Sequence, residues 1–245
     1  MPVSLDRRAL LTLLGASTLA ACDASSPAAP PPLPPPAPRP RRVEVWHDTV
    51  CPWCRIGIHN LEVAVDLWRG PTFEVVFRPY LLEPDAPPEG ADLREQLGRK
   101  YGAARVPEMF ERVSRAGAGY GVTFAWDRVR RAPNTVGSHA LIAHAPDARR
   151  RAVVDALHRA YFEEGQDIGS AEVLVAIATS AGLDAAAARR AVTDAGGIAT
   201  VRREAAAARA RGIRAVPHFV IGDRTLSGAR PHEDFFSAMH ALQQG

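Results

Sequence analysis

Cysteine and methionine are both scarce in this chain of 245 residues, which contains three of each. Cys51 and Cys54 form one Cys-x-x-Cys pair, and the third cysteine, Cys22, lies near the N-terminus. A structural zinc site needs four ligands, but the sequence has no second cysteine pair. This absence argues against a zinc-stabilised domain.

A strong excess of one charge is also absent. The net charge is +3, and the basic residues, almost all arginine, are spread among Asp and Glu along the predicted helices. The pI near 9.0 therefore indicates a solvated, arginine-rich exterior rather than a nucleic-acid-binding surface. We expect no nucleic-acid partner.

The N-terminal residues predict an export signal. Arg7 and Arg8 precede an apolar run, residues 9–20, that is too short to span a bilayer permanently. The Leu-Ala-Ala-Cys motif that ends at Cys22 resembles the bacterial lipobox, in which the cysteine becomes the lipidated first residue of the mature protein. We predict a signal peptide over residues 1–21 and a lipid anchor on Cys22. A plain secretory signal is the alternative, and both Sec and twin-arginine export stay open.

The next segment, residues 22–42, predicts a tether. Nine prolines occur between Pro27 and Pro40, with almost no residue that could join a core. Such a stretch is extended and semi-rigid, and it reaches about 3 Å per residue. It would hold a folded domain several nanometres from the membrane. A docking site for a proline-recognising domain is the weaker alternative.

The Cys51-Pro52-Trp53-Cys54 motif stands where an apolar strand gives way to a helical pattern. A helix that starts at Cys51, with Pro52 at its first position, places the Cys51 thiol at the positive end of the helix dipole, which favours the thiolate. Cys54, one turn further, would face the interior as the resolving thiol. The pattern therefore predicts dithiol-disulfide exchange, with a chance occurrence or half of a metal site as the alternatives.

The remaining patterns predict an α/β fold. A strand (43–48), a helix (52–68) and a strand (73–80) occur in the β-α-β order that makes strands parallel. Further helices are predicted within residues 91–195. A helix, a hairpin and a last helix follow, at residues 199–211, 219–221 with 225–227, and 231–243.

This order is the thioredoxin arrangement with helices inserted in its middle. We predict a thioredoxin-fold domain over residues 43–84 and 199–245 and an all-helical insertion domain over residues 85–198. In this arrangement the Val216-Pro217 bond is cis and brings the Val216 backbone beside Cys51. The main-chain groups of Val216 would then pair with an incoming polypeptide strand. A trans proline that opens an edge strand is the alternative.

From about Val43 to its C-terminus the chain resembles the DsbA-like thioredoxin-fold disulfide oxidoreductases, and within them the FrnE-like branch. The resemblance rests on these segments: Asp48 to Cys54, Asn134-Thr135 with Ser138-His139, Tyr161-Phe162 with Gly165 to Ile168, Gly182 to Asp184, Gly212 to Phe219, and Ser227 to Ala229. Arg230 is a departure, since the family usually has glutamine there. The export signal is another, since many FrnE-like relatives look cytoplasmic.

The resemblance implies a thiol-disulfide oxidoreductase in which Cys51 is the nucleophile, Cys54 the resolving thiol and Pro217 the cis-proline. Such an enzyme needs no bound cofactor. Its expected clients are cysteine-containing exported proteins in the bacterial cell envelope, periplasmic or extracytoplasmic, and an unidentified redox partner recharges it. The redox direction stays open.

Neighbouring residues have smaller predicted roles. Asp48 is expected to modulate Cys51, whereas His47 is expected to have no role. Trp53 is predicted to be exposed and to offer an apolar contact to a client, with packing against the insertion as the alternative. Helix capping by Asn134 and a buried, hydrogen-bonded His139 are the default interpretations of those two residues.

Two other functions are compatible with parts of the pattern. Kappa-class glutathione transferases and hydroxychromene-carboxylate isomerases share this superfamily, but they activate glutathione with a serine at the first motif position, where this chain has Cys51. A thiol-based copper-binding module is the third possibility, and the scarcity of methionine argues against it.

Overall fold

The computed structural model describes residues 41–244. The predicted signal peptide, Cys22 and nearly all of the predicted tether lie outside these residues. Within residues 41–244, no helix combines the length and the hydropathy that a bilayer span requires.

A four-stranded sheet forms the centre of the described structure. Strand β1 (Arg41–His47) leads into helix α1 (Pro52–Leu67), which returns to strand β2 (Phe73–Pro79). Strand β1 pairs in parallel with β2 and antiparallel with β5 (His218–Ile221), which pairs antiparallel with β6 (Arg224–Ser227). The strand order β2-β1-β5-β6, with the C-terminal helix α9 (His232–Gln244), is the predicted thioredoxin arrangement.

The sheet forms from these residues because both of its faces are covered. Val43 and Val45 are fully buried and join a core that also contains Leu61 of α1 and Phe235 of α9. Trp46 points to the other face and packs with Ala208 and other residues of a smaller cluster. The end of β1 is covered on both sides, since Val45, Trp46 and His47 are all buried, whereas Glu44 is half-buried and pairs with Arg78 of β2.

Seven helices of the described chain lie between β2 and β5, together with a short 3-10 helix at Ala103–Arg105. Their bounds are α2 Leu93–Tyr101, α3 Val106–Ala118, α4 Val136–His144, α5 Asp147–Phe162, α6 Ala171–Ser180, α7 Ala185–Thr193 and α8 Ala195–Ala210. The insertion is nevertheless not all-helical. Strands β3 (Ala91–Asp92) and β4 (Arg131–Ala132) form a two-residue antiparallel ladder, and α2 therefore begins at Leu93, capped by the Asp92 carboxylate on Glu95 N.

The boundary between α7 and α8 also differs from the prediction. We expected one helix to run to Ala195 and the next to begin at Ala199. Instead α8 begins at Ala195, since the Asp194 carboxylate accepts a hydrogen bond of 2.6 Å from Gly197 N. The side-chain cap starts the helix and outweighs the low helix propensity of the two glycines.

Candidate active site

Cys51 occupies the N-cap position of α1. Its backbone is extended (φ −84°, ψ 112°), and Pro52 follows in the first turn of the helix. The Cys51 N–H donates to the Asp48 carbonyl at 3.0 Å, and the Cys51 carbonyl accepts from Arg55 N at 3.1 Å. These backbone bonds fix the cysteine at the helix N-terminus, where the dipole stabilises negative charge, as the sequence predicts.

The second cysteine lies behind the first. Cys54 is fully buried and Cys51 is 4% exposed, and both are thiols. Burial raises the pKa of the Cys54 thiol well above its ordinary value, and the neighbouring Cys51 raises it further. Cys54 is therefore a thiol at neutral pH unless a group beside it takes up its proton.

The loop before β5 brings a backbone acceptor to Cys51. The Val216-Pro217 bond is cis, as predicted. The Cys51 thiol donates to the Val216 carbonyl, with 3.8 Å between sulfur and oxygen. A main-chain segment thus lies within reach of anything that is bonded to Cys51.

Cys51 also borders a cavity of about 450 Å³. Most of its walls are apolar. They come from the redox motif with the residue before it, the segment after β2, α2, α3, the segments on either side of β4, and α5: Val50, Trp53, Leu82, Leu93, Leu97, Met109, Phe110, Val113, Trp126, Pro133, Tyr161 and Phe162. Arg112 and Arg214 also line it. Its size and apolar character suit large side chains or a small organic molecule.

Trp53 is half-buried rather than exposed. Its ring packs against the residues of the insertion, and the Arg112 guanidinium lies 5.8 Å from the ring centroid. The prediction of an exposed contact surface was therefore wrong, because α3 covers the indole. The ring still lines the cavity beside Cys51.

Asp48 is 1% exposed and holds the turn before α1. Its Oδ2 accepts a hydrogen bond of 2.7 Å from Leu82 N, which ties the motif to the end of β2. Its Oδ1 has no hydrogen-bond partner in the described part of the chain, and it lies 3.7 Å from His139 Nε2. One carboxylate oxygen thus has a structural role, and the other faces a buried imidazole.

Three histidines that the sequence does not connect meet behind the motif. His47 ends β1, His139 lies in α4 and His158 in α5, and all three are at most 3% exposed. The ring centroids of His47 and His139 are 5.1 Å apart, and those of His47 and His158 are 6.4 Å apart. His158 could not be found from the sequence because it is an isolated histidine in a helix.

Burial dominates the protonation of this cluster. It lowers the pKa of His47 well below its ordinary value, and the nearby His139 and His158 lower it further. Burial and the charge of Arg55 lower the pKa of His158 to about 3. Both imidazoles are therefore neutral at neutral pH. Among residues 41–244, no group of three or more His, Cys, Asp or Glu side chains is arranged to hold a metal ion.

Two further predicted residues have identified contacts. Asn134 is not the N-cap of α4, which is Thr135; it lies one residue earlier, where its Oδ1 accepts from Val136 N at 3.1 Å and its Nδ2 donates to the Ala86 carbonyl. His139 is buried as expected, but its Nε2 makes no hydrogen bond within the described residues. Beside it, the Ser138 and Thr49 hydroxyls form a hydrogen bond of 2.7 Å, which joins α4 to the turn before Cys51.

Comparisons with known proteins agree with this architecture. Residues 42–240 match the DSBA-like thioredoxin domain family. A probable DsbA oxidoreductase from Streptomyces coelicolor is 30% identical, with a TM-score of 0.74 over 83% of this chain and 90% of that one. The uncharacterized protein YwbO of Bacillus subtilis is 26% identical over 205 residues, 82% of this chain and 97% of YwbO. A 2-hydroxychromene-2-carboxylate isomerase shares the fold, with a TM-score of 0.63 and 15% identity over 83% of this chain and 96% of that one.

Proposed function

The chain belongs to the DSBA-like thioredoxin domain family, and we propose that it is a thiol-disulfide oxidoreductase whose Cys51–Cys54 pair acts on protein clients. The observation that carries this proposal is the position of Cys51 at the N-terminus of α1, 3.8 Å from the Val216 carbonyl. Cys54 lies behind it as a fully buried thiol. Membership of the FrnE-like branch stays a prediction.

The exchange has two steps. In the reducing direction the Cys51 thiolate attacks a client disulfide, and one client sulfur leaves as a thiolate. Cys54 then attacks the Cys51 sulfur, which forms the Cys51–Cys54 disulfide and expels the second client sulfur with its bonding electrons. In the oxidising direction the same steps run in reverse, and two client thiols become a disulfide. Neither direction requires a bound cofactor.

The surroundings of Cys51 suggest how a client binds. The main chain of Val216, which precedes Pro217, lies beside the Cys51 sulfur and would pair with an extended client segment. The cavity beside Cys51, with Trp53 in its wall, would take an apolar client side chain close to the target cysteine.

Single substitutions test these assignments. Cys51→Ser should abolish both insulin reduction and reactivation of scrambled ribonuclease. Cys54→Ser should accumulate a mixed disulfide between Cys51 and the client, visible on a non-reducing gel, because the releasing thiol is missing. Cys22→Ser is the matched control and should leave both activities unchanged. Undiminished turnover by Cys51→Ser would refute the proposal, and equilibration with glutathione would determine the redox direction.

We also propose the cellular setting that the N-terminal sequence predicts. Residues 1–21 would direct export, Cys22 would carry the lipid, and residues 22–42 would tether the enzyme to the membrane in the bacterial cell envelope. Its clients would be exported proteins with cysteines, and a separate redox partner would recharge it. Incorporation of a fatty-acid label that is lost in Cys22→Ser would support the anchor, and labelling that persists would refute it.

The two alternative functions have less support. The similarity to an isomerase is one of fold alone, and this chain has Cys51 where the glutathione-dependent relatives have serine. Copper binding by Cys51 and Cys54 would appear as a tight monovalent-copper complex in a titration of the reduced protein.

A further inference from the structure

The charged side chains in the wall of the cavity beside Cys51 are unequally paired. The lining residues with carboxylate, ammonium or guanidinium groups are Asp48, Glu83, Lys100, Arg112 and Arg214. Lys100 pairs with Glu83, and the Asp48 carboxylate is buried, with one oxygen engaged by a backbone N–H. Arg112 and Arg214 are exposed, and neither has an ion-pair partner among residues 41–244. Two guanidinium groups that line the cavity thus have no counter-charge in this part of the chain.

Both arginines are placed relative to the redox motif by other residues. The Arg112 guanidinium of α3 lies 5.8 Å from the centroid of the Trp53 ring, and a cation over an indole face is held there by the ring quadrupole. Arg214 comes two residues before Val216, whose carbonyl lies 3.8 Å from the Cys51 sulfur. One positive charge therefore comes from the insertion and the other from the loop before β5.

The apolar wall of the same cavity continues to the surface. Of the large apolar side chains that are exposed within residues 41–244, Leu82 and Tyr101 both line the cavity. Leu93 and Leu97 line it too, and with Tyr101 they recur every four residues along one face of α2. An exposed apolar surface beside a cavity is typical of a site that binds another polypeptide.

The combination of apolar wall and positive charge distinguishes between possible occupants. A small polar thiol such as glutathione has carboxylates for the arginines, but it has no apolar body to replace water along the wall. A client segment rich in lysine or arginine would be repelled by both guanidinium groups. An extended client segment with a large apolar residue and an aspartate or glutamate beside its cysteine is complementary to both features.

We propose that Arg112 and Arg214 determine specificity, and that they select client cysteines flanked by an acidic residue and a large apolar residue. The inference rests on the proposed thiol-disulfide exchange and names its client class. The apolar side chain fills the cavity, and the carboxylate pairs with a guanidinium group while the client sulfur meets Cys51. The positive charge also raises the rate at which negatively charged segments encounter the site.

A matched series of peptides tests this selection. Each peptide has one cysteine, activated as a mixed disulfide with nitrothiobenzoate, so that attack by the Cys51 thiolate bonds the peptide sulfur to Cys51 and releases the coloured thiolate with the bonding electrons. Three peptides have a tryptophan on one side of the cysteine and Asp, Asn or Lys on the other. A fourth keeps Asp and replaces the tryptophan by serine. Both sequence orders are used.

The protein is the reduced full-length chain in a Cys22→Ser background. The variants are Arg112→Gln, Arg214→Gln and the two combined. Arg211→Gln is the matched control, because Arg211 is exposed three residues before Arg214 but does not line the cavity. The measured quantity is the ratio of second-order rate constants between two peptides, which cancels any change in the reactivity of Cys51 itself.

We expect the parent to react with the Asp peptide about threefold faster than with the Asn peptide and about tenfold faster than with the Lys peptide, since exposed ion pairs contribute factors of this size. Both ratios should approach one as salt screens the charges. The combined variant should bring both ratios to about one at low salt, whereas Arg211→Gln should keep those of the parent. The serine peptide should react at least about threefold more slowly than the Asp peptide with tryptophan.

Several results would overturn the proposal. Equal rates of the parent with the Asp, Asn and Lys peptides would do so, as would ratios in the combined variant that match the parent, or an equal loss in Arg211→Gln. The same activated disulfide of glutathione is a further arm. If it reacts faster than the Asp peptide and loses this advantage in the combined variant, the occupant is a small thiol and not a polypeptide.

The failure of the proposed function would look different. A parent protein that reacts with none of these disulfides would refute the assignment of Cys51, irrespective of the arginines. Circular dichroism would show whether each variant is folded. If the combined variant does not fold, the two single variants decide the question, because unchanged ratios in both would contradict the selection.

Discussion

Gly57 allows the approach of Pro217 to α1, and its replacement by alanine tests that packing. Gly57 is buried in α1, one turn after Cys54. An added Cβ would lie 2.8 Å from Pro217 Cγ, 3.2 Å from Phe219 Cζ and 3.3 Å from Ala229 Cα. Carbon atoms prefer separations of about 3.5–4.0 Å, and the proline ring cannot rotate away. The loop that carries Val216 would therefore have to shift from Cys51.

The magnitude follows from two opposing effects. Overpacking costs about 1–3 kcal/mol, while alanine is favoured over glycine inside a helix by about 1 kcal/mol. We expect a net loss of up to about 2 kcal/mol in the free energy of unfolding. For a chain of this size this corresponds to a Tm up to about 8 °C lower. Insulin reduction should fall further than the reaction of Cys51 with a small aromatic disulfide, since only the protein client needs the Val216 main chain.

Gly98→Ala is the matched control for this substitution. Gly98 also lies in a helix, but an added Cβ there meets Ala103 Cβ at an ordinary 3.4 Å. Its Tm should be unchanged or higher, because only the gain in helix propensity remains. A Gly57→Ala variant that melts at or above the temperature of Gly98→Ala would show that the contact with Pro217 is not tight, and the reasoning would fail.

Two further predictions concern stability. Burial raises the pKa of Glu62 to about 7 despite the neighbouring Arg151, so the folded state binds this proton more tightly than the unfolded state. The free energy of unfolding of the wild type should therefore decrease as the pH rises from about 4.5 to about 7. The decrease amounts to at most about 3 kcal/mol, and urea unfolding of Glu62→Gln at several pH values should not show it. If the free energy of unfolding depends on pH in the same way in Glu62→Gln and in the wild type, this prediction is wrong. Asp194→Ala removes the cap of α8 and should lower the free energy of unfolding by about 1 kcal/mol, whereas Asp223→Ala, in the exposed hairpin turn, should have little effect.

The sequence predicts best those features that depend on local patterns. The strand pattern of β1 and the proline after Cys51 each occur within a few residues, and the structure has the expected strand and helix start there. The cis bond at Val216-Pro217 follows from the predicted thioredoxin arrangement and not from the two residues alone. Helix starts that depend on a side-chain cap are harder to predict. Asp194 and Asp92 start helices at positions that the apolar pattern alone does not indicate.

The contacts that could not be predicted are long-range. The burial of Trp53 depends on how α3 packs against α1. The residues around Trp53 in the sequence contain no information about that packing. The neighbours of His139 come from β1 and the turn after it, far from α4 in the sequence. Such a cluster has no spacing rule, because its members meet only after the helices have packed on the sheet.

The cavity beside Cys51 is built from two separate parts of the chain. The reactive sulfurs belong to the N-terminus of α1, whereas much of the surrounding wall belongs to α2 and α3 of the insertion. Selectivity among clients can therefore evolve through changes in those two helices, while the redox-active cysteine pair stays unchanged. Chimeras that graft α2 and α3 from a relative onto this scaffold would be a practical route to oxidoreductases with altered preferences.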